Sequence, residues 1–89
     1  MKIKLELFGA SKDFSNKDFL EFDFKEKIKI KDLRKEIIQY LNKNFKRNDS
    51  FKKIVENSAF CSEDNNIIDD NYKIIKDQKI GIIPPIGGG

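Results

Sequence analysis

The 89-residue sequence contains no histidine and a single cysteine, and both shortages exclude chemistry. Without imidazole there is no Ser-His-Asp or Cys-His nucleophile, no histidine general base and no histidine-ligated metal site. One cysteine excludes an intramolecular disulfide and any CxxC redox chemistry, so a reducing compartment is expected. Proline is nearly as scarce, with two residues, and they are adjacent, Pro84-Pro85. Glycine numbers five, and three of these are Gly87, Gly88 and Gly89. No apolar run approaches the ~18–20 residues that span a bilayer. The opening Met1-Lys2-Ile3-Lys4-Leu5-Glu6 alternates charge with apolar residues, unlike a secretory leader. A soluble, cytoplasmic chain with no membrane partner is expected.

What is present is polar and charged. Hydrophobic residues make up 38 % and charged residues 37 %, so the core must come from few side chains. Fourteen Ile and eight Phe supply most of it, a β-branched and aromatic quota that favours strands. Eighty-nine residues suffice for one domain with a single core. Eighteen basic residues against fifteen acidic ones, interspersed, leave a net charge of +3. That balance reads as a solvated surface rather than a nucleic-acid face. The densest basic run, Lys43, Lys46, Arg47, Lys52 and Lys53, has no stacking-aromatic motif beside it and reads as a solvated helix end.

Hydrophobic periodicity orders the chain. Ile3, Leu5 and Leu7 alternate with Lys2, Lys4 and Glu6, predicting a half-buried strand over Lys2–Phe8. Residues 9–17 break the pattern and read as a loop. Leu20, Phe22 and Phe24 resume it as a second strand, and Ile28 and Ile30 keep the same parity toward the same core. From Leu33 the period becomes helical: Leu33, Ile37, Ile38, Leu41 and Phe45 share one face of a helix from about Lys31 to Asn44. Asp32 stands where a carboxylate supports the helix start. Phe51–Val55 adds a helical turn. Short strands follow at Ser58–Ser62, Ile67-Ile68 and Tyr72–Ile75, with Ile80–Ile83 last. The order predicts an α+β domain over residues 1–83, a mixed sheet packed against one main helix, with the first and last strands adjacent.

The end of the sequence is the informative part. Pro84-Pro85 stops the last strand, because proline donates no ladder hydrogen bond, and predicts a stiff, projecting, flexible tail over residues 84–89. Glycines without Cβ suit a strip that threads a narrow channel to present a carboxylate for activation. The other reading is an inert, frayed end. Cys61, in Ala59-Phe60-Cys61, has no cationic neighbour in sequence and reads as an inert core or half-buried residue. Asp69-Asp70 lacks the spacing of a metal loop.

Ile80-Gly81-Ile82-Ile83-Pro84-Pro85-Ile86-Gly87-Gly88-Gly89 resembles the tail of the sulfur-carrier small subunit of molybdopterin synthase, a ubiquitin-like β-grasp family. Leu5-Glu6-Leu7-Phe8-Gly9-Ala10 is similar to that family's first strand, and the helix opening at Asp32-Leu33 matches in place. Two departures stand out: Lys76-Asp77-Gln78-Lys79 where the family usually carries Gly-Asp, and Gly87 where Ser is common. The resemblance implies that the Gly89 carboxylate is adenylated by a ubiquitin-activating-like enzyme, which uses ATP, and becomes a thiocarboxylate. It implies that Gly87 and Gly88 thread the activating and synthase pockets. Ile82, Pro84, Pro85 and Ile86 would dock on the large catalytic subunit, in a heterotetramer. Sulfur would pass to a pyranopterin precursor of the molybdenum cofactor. The chain would hold no cofactor or metal itself, and catalytic side chains would come from its partners. A thiamine or tRNA-thiolation carrier, a ubiquitin-like modifier and an inert interaction module remain open. An obligate large partner further predicts an exposed apolar patch on the far sheet face or beside the last strand.

Overall fold

The computed structural model describes residues 1–46 and 49–85. The chain runs β1 (Lys2–Leu7), a 3-10 helix (Gly9–Phe14), β2 (Phe19–Asp23), β3 (Ile28–Lys29), α1 (Ile30–Asn44), α2 (Asp49–Asn57), β4 (Ala59–Cys61), β5 (Ile67–Ile68), β6 (Lys73–Ile74) and β7 (Gln78–Ile83). Five strands form one mixed sheet in the order β2-β1-β7-β4-β5, and β3 and β6 form a separate ribbon. As the alternation predicts, β1 and β2 pair antiparallel, with Leu5 opposite Leu20. The first and last strands meet at the centre of the sheet, in parallel, Leu5 opposite Ile80 and Leu7 opposite Ile82.

Period-two alternation puts Ile3, Leu5, Leu7, Leu20, Ile80, Ile82 and Phe60 on one face, all buried. The α1 stripe Leu33, Ile37 and Leu41 is buried in the same core, with Phe22 packed against it. The Phe22 ring meets Tyr40 of α1 edge-on at 6.0 Å. Asp32 does not cap with its own backbone position; from the third helical residue its Oδ2 accepts the Lys29 N–H at 2.9 Å. The next two helix N–H groups, of Ile30 and Lys31, donate to the carbonyls of Tyr72 and Asp70. Leu41 is 2 % exposed, so Leu41→Ala is expected to cost about 2–5 kcal/mol in urea unfolding. A cost under about 0.5 kcal/mol would contradict its core position.

Three local expectations are corrected. Ile28 does not continue β2: it pairs with Ile74 in the separate ribbon, and Ile30 opens α1. The segment read as a loop contains the 3-10 helix, which buries Phe14 completely. The turn expected at Phe51–Val55 is a nine-residue helix. Both surprises have one cause: the rings of Phe14, Phe51 and Phe45 pack in series at 5.0 and 5.1 Å, a contact between distant segments that local periodicity does not encode.

Candidate functional site

The face of the sheet opposite α1 carries the alternate set of side chains. On β7 these are Lys79, Gly81 and Ile83, and on β4 Ala59 and Cys61 flank the buried Phe60. Gly81 is itself buried, because the Phe8 ring and the Cys61 thiol lie over it. A Cβ there would stand 2.7 Å from Cys61 Sγ and 3.0 Å from Phe8 Cε2, so only glycine lets both settle. Phe8 is held by Ser11: the Ser11 hydroxyl accepts the Phe8 N–H at 2.9 Å and donates to the Phe8 carbonyl at 2.6 Å. Gly9 then turns the chain with φ at +54°, a conformation natural to glycine, beside the Pro84 ring.

The result is an apolar patch at the end of the sheet where β7 leaves it. Phe8 is 43 % exposed, Ile67 68 % and Ile83 36 %. With Cys61 and Asn65 they line a shallow depression of about 340 Å³. Its border is charged: Lys79 Nζ lies 2.9 Å from Glu6 Oε1, and the Lys79 N–H donates to Glu63 Oε1 at 2.9 Å. The hydrogen bond that Lys79 donates to the Glu6 carboxylate, then that group's negative charge, raises the Lys79 pKa above the ordinary lysine value. This is the exposed patch that the sequence predicts, on the far face and at the last strand.

Among the expected docking residues the structure separates neighbours. Ile82 points into the core with no exposure, so its assignment as a partner contact is corrected; Ile83 is the residue that faces outward. Pro84 is half-buried and Pro85 exposed, at the mouth of the same end of the sheet. Ile86, Gly87, Gly88 and Gly89 lie outside the described residues. Phe8 and Ile67 were not singled out by the sequence. Their signal was present: Phe8 falls on the polar parity of β1, and in the pair Ile67-Ile68 one side chain must face outward. Among the described residues no cluster of three Cys, Asp or Glu side chains could hold a metal ion. No helix described is long and apolar enough to cross a membrane.

No protein-family model and no curated protein matches this sequence. Solved structures do. A Pyrococcus furiosus protein assigned as molybdopterin converting factor subunit 1 superposes with a TM-score of 0.69 at 18 % identity, over 96 % of this chain and 98 % of that one. SAMP1 of Haloferax volcanii superposes with a TM-score of 0.69 at 11 % identity, over the full length of both chains. The fold is the ubiquitin-like β-grasp. Within this β-grasp the patch occupies the open sheet face, β7 is the central strand, and the Pro-Pro segment follows it directly.

Gly81→Ala tests the packing beneath the patch. It is expected to destabilise the domain by about 1–3 kcal/mol in chemical denaturation and to shift the Phe8 ring resonances. Wild-type stability with unmoved Phe8 signals would mean that the close approach has no consequence.

Proposed function

We propose that this protein is a sulfur carrier of the molybdopterin synthase type, with the Gly89 carboxylate as the site of chemistry. The observation that best supports this reading is the end-to-end correspondence of its fold with molybdopterin converting factor subunit 1, in a chain whose central strand runs into Pro84-Pro85-Ile86-Gly87-Gly88-Gly89. A carboxylate is a poor electrophile, so a separate adenylating enzyme joins it to the AMP portion of ATP. A carboxylate oxygen attacks the α-phosphorus and pyrophosphate leaves. Sulfide-level sulfur from a donor attacks the acyl carbon, AMP leaves, and a thiocarboxylate remains. In the synthase, sulfur passes to a pyranopterin precursor and an oxygen from water restores the carboxylate.

The carrier supplies reach and recognition, and its partners supply catalytic groups. Phe8, Ile67 and Ile83 form the surface on which the large subunit or the activating enzyme closes, with Pro84, Pro85 and Ile86 leading the glycines into the partner's pocket. Intact-mass measurement tests the reading. After incubation with an adenylating enzyme of this class, ATP and a sulfide source, the chain is expected to gain about 16 Da, and to gain nothing without ATP. Unchanged mass with all components present would overturn sulfur carriage. Sulfur that reaches tRNA or a thiazole precursor, but never the pyranopterin, would assign the chain to a sibling pathway.

A further inference from the structure

The β3–β6 ribbon is a sheet of its own, its groove shares no lining residue with the patch, and its outward face has an unusual composition. Alternation turns Ile74 fully into the core and Lys27, Lys29, Lys73 and Ile75 outward. With Ile28 and Lys31 they line a shallow groove of about 400 Å³. Asp32 is the one carboxylate among the lining residues, and its Oδ2 is already engaged by the Lys29 N–H. Among the described residues none of Lys27, Lys29, Lys31 and Lys73 forms an ion pair.

Two features point to an anionic occupant with an apolar anchor. Lys29 and Lys73 stand directly opposite one another in the ribbon register, a like-charge cross-strand pair that weakens the ribbon unless negative charge comes between them. Ile75 is 58 % exposed in the middle of these cations and, with Ile28, gives the groove an apolar floor among the charges. We propose that this groove docks an extended acidic segment of a partner protein, an aliphatic side chain against Ile28 and Ile75 and carboxylates on the four lysines. A peptide fits better than nucleic acid, because no aromatic side chain lines the groove to stack a base. The groove is separate from the Phe8–Ile67–Ile83 patch, so the proposal does not rest on sulfur carriage and both surfaces can be occupied together.

The test uses fluorescence anisotropy with a labelled peptide of alternating aspartate and isoleucine. Binding to the full chain is expected, weakening several-fold between about 50 and about 300 mM salt. Lys73→Glu is the decisive variant, since it places opposite charges in the Lys29–Lys73 pair. It should raise the thermal midpoint yet weaken peptide binding about tenfold. Ile75→Ser should weaken binding with the fold intact, while the doubly substituted Lys52→Glu, Lys53→Glu protein on α2 should bind as wild type. Absence of binding overturns the proposal, as does equal loss from the α2 variant. Tighter capture of single-stranded DNA or of phosphatidylserine vesicles through the same residues would also overturn it, by assigning the groove to another class of anion.

Discussion

Removal of Gly89 is expected to abolish sulfur transfer while leaving the thermal midpoint unchanged. The two readouts separate because, among the described residues, the fully buried core runs from Ile3 to Ile82, and a glycine has no side chain to add to it. Transfer, in contrast, depends on where the reacting carboxyl carbon sits. Without Gly89 the carboxylate belongs to Gly88 and is withdrawn by about 3.3–3.6 Å, the length of one extended residue. A displacement of about 1 Å can already cost on the order of 10²-fold in rate, so a full residue should leave no measurable thiocarboxylate. Cys61→Ser is the companion variant. Its sulfur packs over Gly81 and has no part in the proposed chemistry, so it should shift stability and spare transfer. Full activity without Gly89, or loss of transfer in a folded Cys61→Ser protein, would remove the carboxylate from its assigned role.

The second large effect belongs to Arg34, and it concerns stability. Its side chain is only 19 % exposed and joins four segments. Nη1 donates to the carbonyls of Val55 at 2.6 Å and Ser58 at 2.9 Å, which closes the C-terminal end of α2 and the start of β4. Nη2 donates to Asp70 Oδ1 at 2.7 Å, binding the turn after β5. The guanidinium also stacks 4.8 Å from the centre of the buried Phe60 ring. Alanine would leave several carbonyls without a donor and open space above Phe60. A loss of about 2–3 kcal/mol is expected, seen as a fall in midpoint of roughly 10–20 °C. Lysine should recover only part of it, because an ammonium cannot reproduce the planar fork. A change of about 0.5 kcal/mol or less for Arg34→Ala would show that these contacts add nothing.

Arg34 also marks the limit of what could be read from the sequence. Periodicity assigns it to the solvated face of α1 with Lys35 and Glu36, and nothing local says that helix, strand and turn converge on it. Elements defined by their own pattern were legible: the alternation of β1 and β2, the Leu33–Ile37–Leu41 stripe, and the proline pair that ends β7. Elements defined by remote partners were not, as with Phe14, whose burial depends on Phe51 some forty positions later. The candidate site divides the same way. The motif at residues 84–89 is visible because glycine and proline are scarce elsewhere, whereas Phe8 and Ile67 become neighbours only once β1, β4, β5 and β7 assemble.

The central position of β7 has a consequence for how the molecule is made. Strands β1 and β2 at one side, and β4 and β5 at the other, have no contact through the sheet except by way of β7. Ile3 must therefore wait for Gln78, and Leu7 for Ile82, before the middle of the sheet closes. Pairings so distant along the chain form late, after the loop-closure entropy of nearly the whole polypeptide has been overcome. During synthesis from the N-terminus, earlier segments can form a hairpin and helices but not this sheet. A chain that stops short of residue 78 stays open to proteolysis, while one that has closed has been translated to within a few residues of its glycines. Folding thus selects against chains broken before residue 78, and the pool of folded protein is enriched in molecules that carry β7, the strand that leads into the glycines, without sensing the last glycines themselves.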